Sequence, residues 1–122
     1  MAGAVFNELN RENNGLKDVA VKIWPDAVPD DSFPFVSIDD YVKERNLRVD
    51  VIKMDIEGGE GDALKGAQRT LREMKPRLMI SVYHKHDDLW TLRERIQAAN
   101  PEYAFYFGHH TPVQWDSILY AV

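Results

Sequence analysis

Apolar positions in this chain alternate, recur at helical spacing or run together, and each pattern predicts an element. Val5, Phe6 and Leu9 share one side of a helical turn, and Asn13-Asn14-Gly15 supplies a stop, so the opening reads as the tail of a helix. From Asp18 to Trp24, Val19, Val21 and Ile23 alternate with Ala20, Lys22 and Trp24, the period-two signature of a short strand. Residues 25–35 are rich in proline and aspartate and read as a surface loop. Ser37-Ile-Asp-Asp40 reads as a helix start. Ser37 can accept a backbone N–H bond, and Asp39 and Asp40 oppose the positive end of the dipole. That helix is expected to reach Arg45 and stop at Asn46.

Val49-Asp-Val-Ile-Lys-Met54 is rich in β-branched residues and predicts a buried central strand. Leu64, Ala67, Leu71 and Met74 then recur at three- and four-residue spacing, which predicts one amphipathic helix ended by Pro76. Leu78-Met-Ile-Ser-Val-Tyr83 is a second near-continuous apolar strand. Two such strands joined by a helix imply a right-handed parallel β-α-β unit. Asp87 or Asp88 opens a further helix with Leu89, Leu92, Ile96 and Ala99 inside, and Asn100-Pro101 closes it. Tyr103–Phe107 and Ser117–Val122 predict an antiparallel hairpin around the polar loop from Gly108 to Asp116. The expected fold class is α/β: a mostly parallel sheet with a C-terminal antiparallel hairpin, in a single domain over residues 1–122.

Composition narrows the function. The length of 122 residues suits one domain with a modest core. Lysine and arginine number 15 against 20 aspartates and glutamates, a net charge of −5, which argues against a nucleic-acid partner. Charges alternate in Lys43-Glu44-Arg45 and Arg93-Glu94-Arg95, as on solvated helix faces. The absence of cysteine excludes disulfides and zinc–thiolate sites. No apolar run approaches the roughly 18 residues a membrane helix needs, and the N-terminus lacks a signal-peptide pattern, so a soluble, cytoplasmic protein is expected.

The candidate chemistry lies after the two apolar strands. Asp55, Glu57 and Glu60 stand beside Gly58, Gly59 and Gly61, at the carboxyl end of the first strand. Ligands of open α/β sheets bind beyond that end. Carboxylates there can orient a hydroxyl, accept a proton, face a cationic ligand or hold Mg²⁺. Glu57 and Glu60 also suit a helix N-terminus for purely structural reasons. Asp55 ends a strand without being needed as a cap. Tyr83-His84-Lys85-His86-Asp87-Asp88 follows the second strand and opens on the same rim. His84 could serve as a general base and Lys85 could face an anion. Trp90, early in the next helix, could wall a pocket. His109-His110 reads as surface loop, because adjacent side chains point apart. Trp24 and Trp115 could stack on a ligand, although packing is the commoner fate of tryptophan. Dinucleotide and P-loop fingerprints and a nucleophile elbow are missing. No residue is assigned as a metal ligand. A Mg²⁺-dependent hydrolase using the three carboxylates remains an alternative.

Three segments together resemble a known family: Val36-Ser-Ile-Asp-Asp-Tyr41, Val51-Ile-Lys-Met-Asp-Ile-Glu-Gly-Gly-Glu60 and Ala63-Leu-Lys-Gly-Ala67. With Ser81-Val-Tyr-His-Lys85, Asp88-Leu-Trp90 and Leu119-Tyr-Ala121, they are similar to the C-terminal part of FkbM-type methyltransferases. The resemblance implies S-adenosylmethionine as cofactor and methyl transfer to a hydroxyl of a sugar or other small molecule. It implies a partial Rossmann-like methyltransferase sheet, of family strand order 3-2-1-4-5-7-6, lacking the first two strands. On that plan Val19–Trp24 is strand three, Val49–Met54 strand four and Leu78–Tyr83 strand five. It places Asp55 and His84 in catalysis, Asp55, Ile56 and Glu57 at the cofactor, and Glu60, Tyr83, Lys85 and Trp90 at the substrate. The glycine-rich cofactor loop is expected to be absent. Strand four would then be an open edge, to be covered by strand three folding across, by a second copy or by a chain carrying the missing half. The alternative reading is a non-catalytic or split-enzyme fragment that acts by such pairing.

Overall fold

The computed structural model describes residues 37–113 and 115–122. The predicted N-terminal helix tail, the strand Val19–Trp24 and the loop 25–35 lie outside the described residues. Eight elements follow: α1 (Ile38–Glu44), β1 (Val51–Met54), α2 (Glu60–Lys65), α3 (Gln68–Met74), β2 (Arg77–Ser81), α4 (Asp88–Ala99), β3 (Phe105–His109) and β4 (Ser117–Ala121).

The capping expected for α1 is present. Ser37 Oγ accepts the Asp40 N–H at 3.0 Å, and the helix ends at Glu44, just before Asn46, whose φ of 50° leaves the right-handed run. Asp39 behaves differently from expectation. Its carboxylate accepts the N–H groups of Arg69 (2.9 Å) and Thr70 (2.8 Å) and the Thr70 hydroxyl (2.7 Å), so it caps α3 rather than its own helix. Its own N–H donates to the Gly66 carbonyl at 2.8 Å. These bonds explain why the predicted single helix through Leu64 and Leu71 is two helices. The backbone leaves the helical path at Gly66-Ala67, where α1 seats against it. A Cβ added at Gly66 would lie 3.1 Å from Ser37 Cβ, so the close approach depends on glycine there.

The sheet order is β1-β2-β4-β3. β1 and β2 pair in parallel, Val51 opposite Arg77 through Met54 opposite Ile80, as the β-α-β pattern predicts. β2 pairs with β4 antiparallel, and β4 with β3 antiparallel. Among the described residues the sheet is therefore mostly antiparallel, which corrects the expectation of a mostly parallel one. The cause is the hairpin: its second strand enters beside β2, so the single parallel pairing is flanked by two antiparallel ones. The order is the one the resemblance implies for its last four strands.

One apolar cluster joins a sheet face to the helices. Ile52, Met54, Leu78, Ile80, Leu119 and Ala121 meet Leu64, Leu71, Leu92 and Ile96. Leu64, Leu71, Ile80 and Ile96 are fully buried, each stabilising the fold by about 1.5–3 kcal/mol through burial. β1 alternates rather than being buried on both faces, with Ile52 and Met54 inside and Val51 55% exposed. Within the described residues it has a strand neighbour on one side only. Tyr103 anchors the far end by donating its hydroxyl to the Pro76 carbonyl at 2.7 Å, and Asn100 donates to the Leu71 carbonyl at 3.3 Å. Among the described residues no helix is long and apolar enough to cross a membrane.

Candidate active site

Parallel pairing of β1 with β2 sends Asp55 and Tyr83-His84 out of the same rim of the sheet. β4 runs the other way, so its start lies there too, and the Val82 N–H donates to the Ser117 carbonyl at 2.9 Å. Trp115 and Asp116, just ahead of β4, therefore border the same rim.

The turn after β1 is built by unusual backbone. Glu57 has φ of 57° and Gly58 φ of 93°, two successive left-handed residues, the first of them not a glycine. The turn is closed twice. The Gly59 N–H donates to the Ile56 carbonyl at 3.2 Å, and Glu60 Oε1 accepts the Ile56 N–H at 2.9 Å. Glu60 opens α2, yet its side chain is wholly buried. Gly58 also admits the neighbouring loop, since an added Cβ would stand 3.3 Å from Lys85 Cε. That loop is tied to α4: the Asp88 carboxylate, itself buried, accepts the Lys85 N–H at 2.9 Å.

His84 sits between the carboxylates. Its Nε2 lies 3.5 Å from Asp55 Oδ1 and 3.6 Å from Glu57 Oε2, and its Nδ1 lies 3.2 Å from Glu60 Oε1. None of these approaches is aligned as a hydrogen bond. Glu60 Oε2 and both His84 ring nitrogens are shielded from solvent and lack a hydrogen-bond partner. Asp55 remains partly open, with 42% of its side chain exposed. Tyr83 donates its hydroxyl to Asp55 Oδ1 at 3.0 Å, and its ring lies 4.2 Å from that of His84. Burial first, then the bond to Asp55 and the charges of Asp55, Glu57 and Asp116, push the Tyr83 phenol up to about 12. It is thus a donor at neutral pH, not a base.

The structure brings together Asp55, Glu57, Glu60, Tyr83 and His84. Ile56 is buried, so what it offers the rim is backbone. Lys85 is exposed over the turn. Trp90 is 61% exposed, and its side chain makes no hydrogen bond or ring contact with the cluster. Trp115, for which packing is a commoner expectation than stacking on a ligand, stands edge-on to Tyr83 at 6.0 Å and is 53% exposed. Its signal was the antiparallel register of β4, which returns the loop to the rim. His109 and His110 are satisfied elsewhere, by Ser117 Oγ and the Tyr120 hydroxyl, each at 2.8 Å.

Carboxylates and a histidine thus stand on the rim where open α/β sheets bind their ligands. A family model described as the methyltransferase FkbM domain matches residues 31–115. The crystal structure of methyltransferase FkbM from Methylobacillus flagellatus KT is 46% identical over 70% of this chain, with a TM-score of 0.65. The chain belongs to the FkbM methyltransferase family. It covers 22% of that Methylobacillus protein. No curated protein matches it.

Proposed function

We propose that the chain carries part of an S-adenosylmethionine-dependent O-methyltransferase of partial Rossmann-like architecture, with the Asp55–His84 cluster at the acceptor hydroxyl. The observation that carries this reading is the convergence of Asp55, Tyr83 and His84 on one rim of a chain from a methyltransferase family.

The open carboxylates of Asp55 and Glu57 suit a sulfonium cation nearby, and the Ile56–Glu57 backbone would border the same group. S-adenosylmethionine, when bound, supplies the electrophilic methyl. The protein's own work is orientation and proton management. Asp55, held by the Tyr83 hydroxyl, and His84 orient the acceptor hydroxyl and take its proton as the oxygen–methyl bond forms and the carbon–sulfur bond breaks. Glu60 supports His84 from the buried side. The exposed Trp115 ring beside Tyr83 offers a flat apolar surface suited to the C–H face of a sugar. Lys85 and Trp90 would meet outlying groups of the acceptor.

The test is transfer of labelled methyl from S-adenosylmethionine to a panel of sugars and small alcohols by the full chain. Label in a hydroxyl acceptor supports the reading, and none across the panel overturns it for this chain. The second reading is action through a partner at the β1 edge, favoured by the one-sided pairing of β1 among the described residues and the exposure of Val51. Native mass spectrometry showing a strict monomer would contradict it.

A further inference from the structure

We infer that Asp55, Glu60 and His84 form a binding site for one divalent first-row cation of the Mn²⁺ or Zn²⁺ kind. One oxygen from each carboxylate and one imidazole nitrogen lie within 4.8 Å of one another. Such cations bind these atoms at about 2.0–2.2 Å, so their ligands stand about 3–4.4 Å apart, and shifts of a few tenths of an ångström would close the set. Two oxygens and one nitrogen is a donor set for a borderline ion rather than for Mg²⁺ or Ca²⁺, which favour oxygen alone.

The second observation is independent of the acidic character of the turn. Glu60 is completely buried, and its Oε2 has no hydrogen-bond partner. Both ring nitrogens of His84 are equally shielded and unpaired. Buried polar atoms without partners are rare and costly, and three meet here. A cation would take lone pairs from Glu60 and from one His84 nitrogen, the other nitrogen keeping the ring proton. Glu60 Oε1 is already fixed by the Ile56 N–H, which aims the carboxylate as a backbone-anchored ligand should be aimed. Asp55 closes the set from the open side, leaving positions for water or an acceptor oxygen, and Glu57 lies within reach at the rim. At the acceptor the ion would polarise the oxygen, and the Asp55 oxygen left off the ion, rather than the ligating His84, would take the proton. The inference deepens the proposed reaction but rests on the donor set, so its test uses neither methyl donor nor acceptor.

Mn²⁺ is titrated into the full chain, and loss of the free-ion electron paramagnetic resonance signal is followed. One ion per chain is expected to bind. Asp55→Asn, at the open side of the cluster, and Glu60→Gln, which preserves an acceptor for the Ile56 N–H, should each weaken it by about tenfold or more. Asp62→Asn, at an exposed acid outside the cluster, should leave affinity within twofold. Circular dichroism checks each fold; if Glu60→Gln fails to fold, Asp55→Asn decides. An undiminished free-ion signal overturns the inference, as does equal affinity in Asp55→Asn and the unaltered chain.

Discussion

Two histidine-bearing loops lie along one rim of the sheet, and they differ in what they leave unsatisfied. In the β3–β4 hairpin, His109 and His110 each meet a hydroxyl at 2.8 Å, and both residues are exposed. After β2, His84 is sunk among three carboxylates, with neither nitrogen in a hydrogen bond. Identical side chains thus have opposite surroundings. A histidine paired to a neighbouring hydroxyl is structurally finished, whereas one held against buried and half-open carboxylates keeps capacity for a proton, an ion or a substrate. The difference comes from topology. Parallel β1 and β2 present two loops side by side, while His109 and His110 find their partners within the hairpin.

The largest effect that would break this comparison is on turnover. With a hydroxyl acceptor that supports methyl transfer, His84→Asn should lower kcat by about a hundredfold or more, the usual size of a proton-transfer contribution. His109→Asn and His110→Asn should stay within twofold in the same assay. Next comes stability. Glu60→Ala deprives the Ile56 N–H of its acceptor in a buried turn and should cost about 1–3 kcal/mol in urea unfolding. His110→Ala loses only an exposed bond to Tyr120 and should cost about 0.5 kcal/mol or less.

A smaller effect concerns the fold beneath both loops. Tyr103 donates to Pro76, and burial raises its phenol above the ordinary tyrosine value. Its folded value exceeds the unfolded one, so its contribution is full below about pH 10 and is lost as pH rises further. Tyr103→Phe should cost about 1 kcal/mol at pH 7 and flatten the loss of stability above pH 10 in denaturant titrations.

Much of this was legible in the sequence. Alternation and β-branching placed β1 and β2, Ser37 and Asn46 bounded α1, and the rim position of Asp55 and His84 followed from parallel pairing alone. Three features were not legible. The break at Gly66 depends on Asp39, about thirty residues earlier, capping a different helix, and helical periodicity carries no trace of so remote a partner. The mostly antiparallel sheet depends on where β4 inserts, which strand patterns do not encode. The burial of Glu60 reverses the expectation for an acid at a helix start. Its spacing suits a solvent-facing cap, and only the left-handed Glu57-Gly58 turn carries its carboxylate inward to Ile56 and His84.

The most direct test of the contrast between the two loops is a ¹H–¹⁵N titration of the full chain with S-adenosylmethionine. Amide shifts are expected at Asp55–Gly59 and Tyr83–Lys85, with His109 and His110 unmoved. Shifts centred on the hairpin, or none anywhere at millimolar ligand, would contradict that contrast.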